Sequence, residues 1–179
     1  LREINRTPAE TVFVLPNNKN IIMAAEQSAE LCRDKRVIVI PTKTVPQGIS
    51  ALLNFNIDEN EELIVEAMKD AAAKVHTAMV TYAIRDSEYN GIPIKQGDII
   101  GLHNGQIEFS GQSVHDVVIE MMKKIITDED ELITIYYGAD IQETEAQSIT
   151  SEIESRYDYC DVECHSGGQP LYYYLISVE

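Results

Sequence analysis

The sequence predicts an α/β fold in two small subdomains, residues 1–76 and 77–179. Two apolar runs carry the first prediction: "TVFVLP" (11–16) and "RVIVIP" (36–41) each end on proline and lead into a helix-forming stretch. That β-α-β-α order implies parallel strands joined by a right-handed crossover. A change of pattern after Val75 carries the second: a hairpin, a strongly amphipathic helix and further strands imply a mixed sheet with helices.

Taken in order, 11–16 is a buried strand, and "NNKNIIMAAEQSAELC" supplies asparagine caps and a helix with Ile22, Ala25, Ala29 and Cys32 at helical spacing. Residues 36–41 form the second buried strand, and "PQGISALLNF" opens the next helix. "DENEELIVEAMKDAAAKV" is a capped helix with Leu63, Ala67, Met68 and Ala71 facing inward. "TAMVTYAI" is a strand, and "DIIGLHNGQIEF" a hairpin whose Asn104-Gly105 pair tolerates the positive φ of a tight type I′ turn. "SVHDVVIEMMKKII" aligns Val114, Val117, Val118, Met121, Met122 and Ile125 on one helix face. "ELITIYY" is a strand, "QETEAQSITSEIESRY" a polar helix and "PLYYYLISV" a closing strand.

A chain of 179 residues with 44% apolar content suits one domain or two small subdomains. Its first residue is Leu1 rather than methionine, so a piece of a longer protein is expected. No apolar run approaches the roughly 20 residues of a membrane helix, and no signal peptide opens the chain. Three cysteines, Cys32, Cys160 and Cys164, cannot all pair, which suits a reducing cytoplasm.

The net charge is −16, and it is uneven. Residues 1–60 hold seven acids and seven bases, 61–120 ten and four, and 121–179 thirteen and three. Such a chain is repelled by nucleic acid and by anionic lipid surfaces. The acidic second half is either a solvated surface or a docking face for a basic partner.

Four segments are candidates for chemistry. Thr42, Lys43 and Thr44 offer hydroxyls and an ammonium at the N-terminus of a helix, yet P-loop glycine spacing is missing, and a structural turn capping the helix fits better. "CDVECH" (160–165) lacks the second pair of ligands a structural zinc needs, so its thiols are expected to be buried in a strand, and no metal is expected. His76, His103, His115 and His165 stand in no triad pattern, so no catalytic residue is assigned. "HSGGQP" (165–170) is either an oxyanion cradle of backbone amides or a glycine bend re-entering the sheet. Asp128, Glu129, Asp130 and Glu131, followed by Glu143, Glu145, Asp158, Asp161 and Glu163, lack the calcium-loop pattern and are better suited to facing a protein partner.

The pieces resemble, over nearly the whole chain, the DegV-like (EDD) family of bacterial fatty-acid-binding proteins. The resemblance lies in "GDIIGLHNGQIEFSGQSVHDVVIEMMKKI", in "VIVIPTKTVPQG", and in "VECHSGGQPLYYYLI", where His165 takes the family's histidine position and Ser166 replaces a threonine. "VFVLPNNKNIIMAAEQSAEL" with "VIVIPTKTVPQGISALLNFN" is similar to the C-terminal domain of the ATP-binding subunit of bacterial fatty acid kinase. The resemblance implies a kinase domain holding ATP and magnesium elsewhere in the parent protein, a homodimeric parent, and no cofactor in this chain. The fatty-acid-binding relatives carry an opening aspartate-serine-threonine segment and a glycine-glycine-arginine motif. Here the first has no counterpart and "YNGIPI" (89–94) stands in place of the second.

The expected function is therefore a non-catalytic, cytoplasmic docking domain. It would recruit the fatty-acid-binding subunit through the nine acids named above, so that a bound fatty acid is phosphorylated by the kinase domain. Thr42, Lys43, Thr44, His165 and Ser166 are the remains of a ligand site. The alternative is a lipid-binding domain holding an acyl carboxylate near His165 and Ser166.

Overall fold

The computed structural model describes residues 1–89 and 91–179; Asn90, inside the 89–94 segment, lies outside the described residues. The chain divides into two compact units, Leu1–Val75 and His76–Glu179. The architecture is α/β, with a small parallel sheet in the first unit and a six-stranded mixed sheet in the second.

The first unit contains α1 (Arg2–Arg6), β1 (Thr11–Val14), a short 3₁₀ turn (Lys19–Ile21), α2 (Ile22–Leu31), β2 (Arg36–Val39), α3 (Val45–Leu53) and α4 (Glu61–Lys74). β1 and β2 pair in parallel, Thr11 opposite Arg36 through Val14 opposite Val39. Both strands are edges of a two-stranded sheet, and β1 is half-buried along its length rather than fully buried as its apolar sequence suggests. Side-chain caps start the helices: Asn18 accepts from the Asn20 amide, Thr44 from Gln47, and Asn60 from Leu63. The core is small: Ile40, Ala51, Ile64, Met68 and Ala72, with Phe13, Leu15, Ile38 and Val65 against it.

On α4 Met68 faces inward as expected, but its buried companions are Ile64 and Ala72, while Leu63 is 47% exposed, Ala67 is exposed and Ala71 is half-buried. The two diagonals lie side by side on the helix, and the one with the larger side chains is buried.

The second unit runs β3 (His76–Tyr82), β4 (Ser87–Tyr89), β5 (Ile92–Ile94), β6 (Ile99–His103), β7 (Gln106–Gly111), α5 (Val114–Ile125), β8 (Leu132–Tyr137), α6 (Glu143–Arg156), β9 (Asp161–Ser166) and β10 (Tyr172–Val178). The sheet order is β7-β6-β3-β10-β8-β9, antiparallel except for the β8–β9 pair. At the β6–β7 turn Asn104 and Gly105 have φ of 48° and 80°, the left-handed pair that a type I′ turn requires.

Ser113 caps α5, and all the face residues from Val117 to Ile125 named above are buried. α6 begins with a capping box between Gln142 and Glu145 and buries Ala146, Ile149, Thr150 and Ile153. These faces meet Ala78, Val80, Ile133, Ile135, Tyr174, Ile176 and Val178 in one core. Among the described residues no helix is long and apolar enough to cross a membrane.

Candidate functional site

Because β8 and β9 are parallel, the two loops that enter them, 126–131 and 157–160, come to the same end of the sheet. Backbone bonds lock them there. The Asp161 amide donates to the Glu131 carbonyl (2.8 Å), and the Glu131 and Leu132 amides donate to the Glu179 carbonyl (2.6 and 3.0 Å). The Cys160 thiol donates to the Asp130 carbonyl (3.1 Å), and the Tyr159 hydroxyl donates to the Thr127 carbonyl (3.5 Å). Asp128, Glu129, Glu131, Asp158 and Asp161 all stay exposed along this rim, and none has an ion pair among the described residues. Tyr159 stands among them with 48% of its surface exposed. The sequence reading did not single it out; an aromatic residue flanked by Asp158 and Asp161 is the signal that was available.

Asp130 departs from the expected set. It is 9% exposed, and its carboxylate accepts from the Thr127 amide (2.7 Å) and hydroxyl (3.0 Å). It is the internal cap of the turn that presents Asp128 and Glu129, and not a surface charge.

The remaining acids lie elsewhere. Glu143 and Glu145 open α6, at the other end of β8, a six-residue strand about 20 Å long. One Glu145 oxygen accepts from the Gln142 amide (3.2 Å). Glu163 sits within edge strand β9, hydrogen-bonded to His165 (3.1 Å). The nine acids read from the sequence thus fall in three places.

The proposed remnant of a ligand site has most of its polar groups engaged. In the first unit, buried Thr42 donates its hydroxyl to the Pro16 carbonyl (2.6 Å), Thr44 caps α3, and the Lys43 amide donates to Gln47 Oε1 (2.8 Å). The Lys43 side chain lines a cleft of about 230 Å³ together with Gln47 and Lys69, the last not singled out in the sequence. In the second unit, His165 and Ser166 end β9 and are exposed, with the His165 ring 5.9 Å from that of Tyr136. The Gly167 and Gly168 amides both donate to the Tyr137 carbonyl (2.9 and 3.3 Å). An oxyanion cradle is therefore closed, and the glycines make the bend, Gly168 with φ of 62°.

Two histidine groupings were not legible in the sequence. His76 Nδ1 and His103 Nε2 lie 3.2 Å apart, and His103 Nδ1 is 3.5 Å from Glu108. Burial pushes the His103 imidazole below its ordinary pKa, against the pull of Glu108. His115 joins α5 to Glu152 of α6 at 2.6 Å. Among the described residues no cluster of His, Cys, Asp and Glu is arranged to hold a metal ion.

The first unit adds a different surface. Leu52, Leu53, Phe55 and Ile57, at the end of α3 and in the loop after it, are 60%, 79%, 36% and 80% exposed. From Leu53 to Ile57 the sequence alternates apolar and polar residues as a strand would, yet the segment forms the end of α3 and a loop, so the alternation does not mark a buried strand.

The whole chain, residues 1–179, matches the family of FakA-like C-terminal domains, the C-terminal part of FakA-type fatty acid kinase proteins. It is 43% identical over 171 residues to protein YloV of Bacillus subtilis (strain 168), covering 96% of this chain and 31% of that one. It is 36% identical over 179 residues to the uncharacterized protein SAR1202 of Staphylococcus aureus (strain MRSA252), covering 100% and 32%. The chain thus spans about a third of the length of the curated relatives it matches. Among solved structures, a fatty-acid-binding DegV family protein from Thermus thermophilus superposes with a TM-score of 0.65 at 11% identity, covering 99% of this chain and 74% of that one. The Streptococcus pneumoniae fatty acid kinase B3 protein loaded with linoleic acid gives 0.62 at 12%, covering 98% and 74%. At such identities the likeness is one of fold.

Proposed function

This chain belongs to the FakA-like C-terminal family of fatty acid kinase proteins, and from that premise we propose that it is a non-catalytic docking domain for a fatty-acid-binding partner subunit. The partner would bring a fatty acid to a kinase domain of the parent protein, where its carboxylate is phosphorylated at the expense of ATP. The observation that carries this reading is the rim formed by Asp128, Glu129, Glu131, Asp158 and Asp161 around Tyr159. Five exposed carboxylates with no ion pair among the described residues are a source of negative potential, and that potential accelerates and orients the approach of a basic surface. An exposed tyrosine in their midst is the kind of side chain that anchors the centre of an interface.

Retention of a fatty acid by this chain itself has weaker support. An acyl carboxylate buried without donors is costly, and the Thr42 hydroxyl and the Gly167 and Gly168 amides already have acceptors inside the protein.

Charge reversal at the rim tests the docking reading. The triple variant Asp128→Lys, Glu131→Lys, Asp161→Lys is expected to lose about tenfold or more in affinity for the fatty-acid-binding subunit, chiefly through slower association. Its unfolding free energy should stay within about 0.5 kcal/mol per site of the parent, since these side chains hold nothing together. Unchanged association kinetics in surface plasmon resonance would contradict the rim as the docking face.

A further inference from the structure

At the opposite end of the second unit, the N-terminal turns of α5 and α6 and the loop after β8 enclose a cleft of about 360 Å³. Val114, Ile141 and Ile149 make its apolar walls, Asp140 and Glu145 its acidic ones, and Tyr174 of β10 is part of the lining. Tyr174 is 0% exposed. Along β10 it shares the helix-facing side with Ile176 and Val178, both fully buried in the same core.

The Tyr174 hydroxyl is the one buried side-chain oxygen or nitrogen among the described residues with no hydrogen-bond partner. Buried tyrosine hydroxyls normally find one, because an unmade bond away from water is costly. Glu145, on the same lining, is the charge that most opposes its ionisation, after burial itself. The hydroxyl thus remains an unused donor and acceptor at an acidic cleft.

The charges decide what fits there. Asp140 and Glu145 are exposed, and neither has an ion pair among the described residues. His115 also lines the cleft, but its ring is held by Glu152 (2.6 Å) and Asp116 (3.3 Å), so its positive charge is already neutralised. The positive ends of the two helices are offset by Asp116 in the first turn of α5 and by Glu143 and Glu145 in that of α6. An anion is therefore repelled, and a neutral occupant leaves both carboxylates unmatched. A cation on an apolar stem satisfies every part: methylenes against Val114, Ile141 and Ile149, the charge at Asp140 and Glu145, and an N–H toward the tyrosine oxygen.

We propose that this cleft is an anchor pocket for a basic side chain, arginine or lysine, of a partner protein. The identity of that partner as the fatty-acid-binding subunit rests on the docking reading above; the pocket's preference for a basic side chain does not. It adds a second point of attachment, one strand length from the acidic rim.

The test uses the 179-residue chain labelled with ¹³C on tyrosine rings and isoleucine and valine methyls, titrated with Nα-acetyl-arginine amide and Nα-acetyl-lysine amide. The neutral isostere Nα-acetyl-citrulline amide is the control. Saturable shifts of the Tyr174, Ile141 and Ile149 signals with either basic amide, at least about fivefold weaker with citrulline and with Asp140→Asn/Glu145→Gln, are expected. No saturable response, or an equal one to citrulline, overturns the proposal. Tyr174→Phe keeps the ring and checks the premise: its melting temperature should hold or rise, and a fall of several degrees would mean that the hydroxyl has a partner inside the free protein. With the fatty-acid-binding subunit, the Asp140→Asn/Glu145→Gln variant should bind about fivefold more weakly. Equal binding removes the pocket from that interface and leaves the rim standing. Failure of the unmodified chain to bind that subunit removes the docking reading, while the amide titration still decides the pocket.

Discussion

His115 bridges two carboxylates, Asp116 Oδ1 through Nδ1 (3.3 Å) and Glu152 Oε2 through Nε2 (2.6 Å). The Asp116 bond, and then that to Glu152, raise the imidazole pKa above its ordinary value against the opposing effect of burial. The Glu152 carboxyl is lowered in turn, with His115 as the main cause. A raised pKa in the folded state means that the tie stabilises fully below the ordinary histidine value, about 6.5, and fades as pH climbs through the raised one. His103 works in the opposite direction, since burial lowers its pKa, so the comparison must be made against a variant. The melting-temperature difference between the protein and His115→Gln is therefore expected to shrink from about pH 5.5 to about pH 8.5. A difference that stays constant across that range contradicts the bridge. Asp116 is the next residue in the sequence, but the tie to Glu152 is not visible there, because Glu152 lies on another helix and the pairing depends on how α5 and α6 pack.

At the scale of elements, β8 ends where Gly138 donates its amide to the Tyr173 carbonyl (2.9 Å). A Cβ there would overlap the Tyr172 carbonyl oxygen, a backbone atom with no freedom to move away. Gly138→Ala should therefore cost about 2–4 kcal/mol in urea unfolding with an unchanged m-value, and a loss under about 0.5 kcal/mol would show that the strand ends are looser than these bonds imply.

How far each element could be read in advance follows from its pattern. On α5 the apolar positions are set off by Asp116, Glu120, Lys123 and Lys124, so only one face can go inward, and it does. On α4 two apolar diagonals touch, and periodicity could not choose between Leu63–Ala67 and Ile64–Met68. The Asn104-Gly105 turn was legible because its backbone angles select those two residues. The sheet order was not: β10 pairs with β3 and β8, both distant in the chain, and alternation of side chains carries no record of which strand lies alongside.

Over the whole molecule, the net charge of −16 could be read at once, but its arrangement could not. The 128–131 and 158–161 segments are roughly thirty residues apart and meet only because β8 and β9 run in parallel. The same geometry carries Glu143 and Glu145 to the far end of β8 and turns Asp130 inward. Tyr159 and Tyr174, the two tyrosines that give these acidic regions their specific character, gain it from exposure in one case and from an unpartnered hydroxyl in the other. The measurement that bears most directly on docking by negative charge is a calorimetric titration, repeated at several ionic strengths, of this chain with the fatty-acid-binding subunit. Affinity should fall about tenfold or more between about 50 mM and about 500 mM salt, as screening removes the attraction of the rim. Binding of equal strength at both salt concentrations would contradict it.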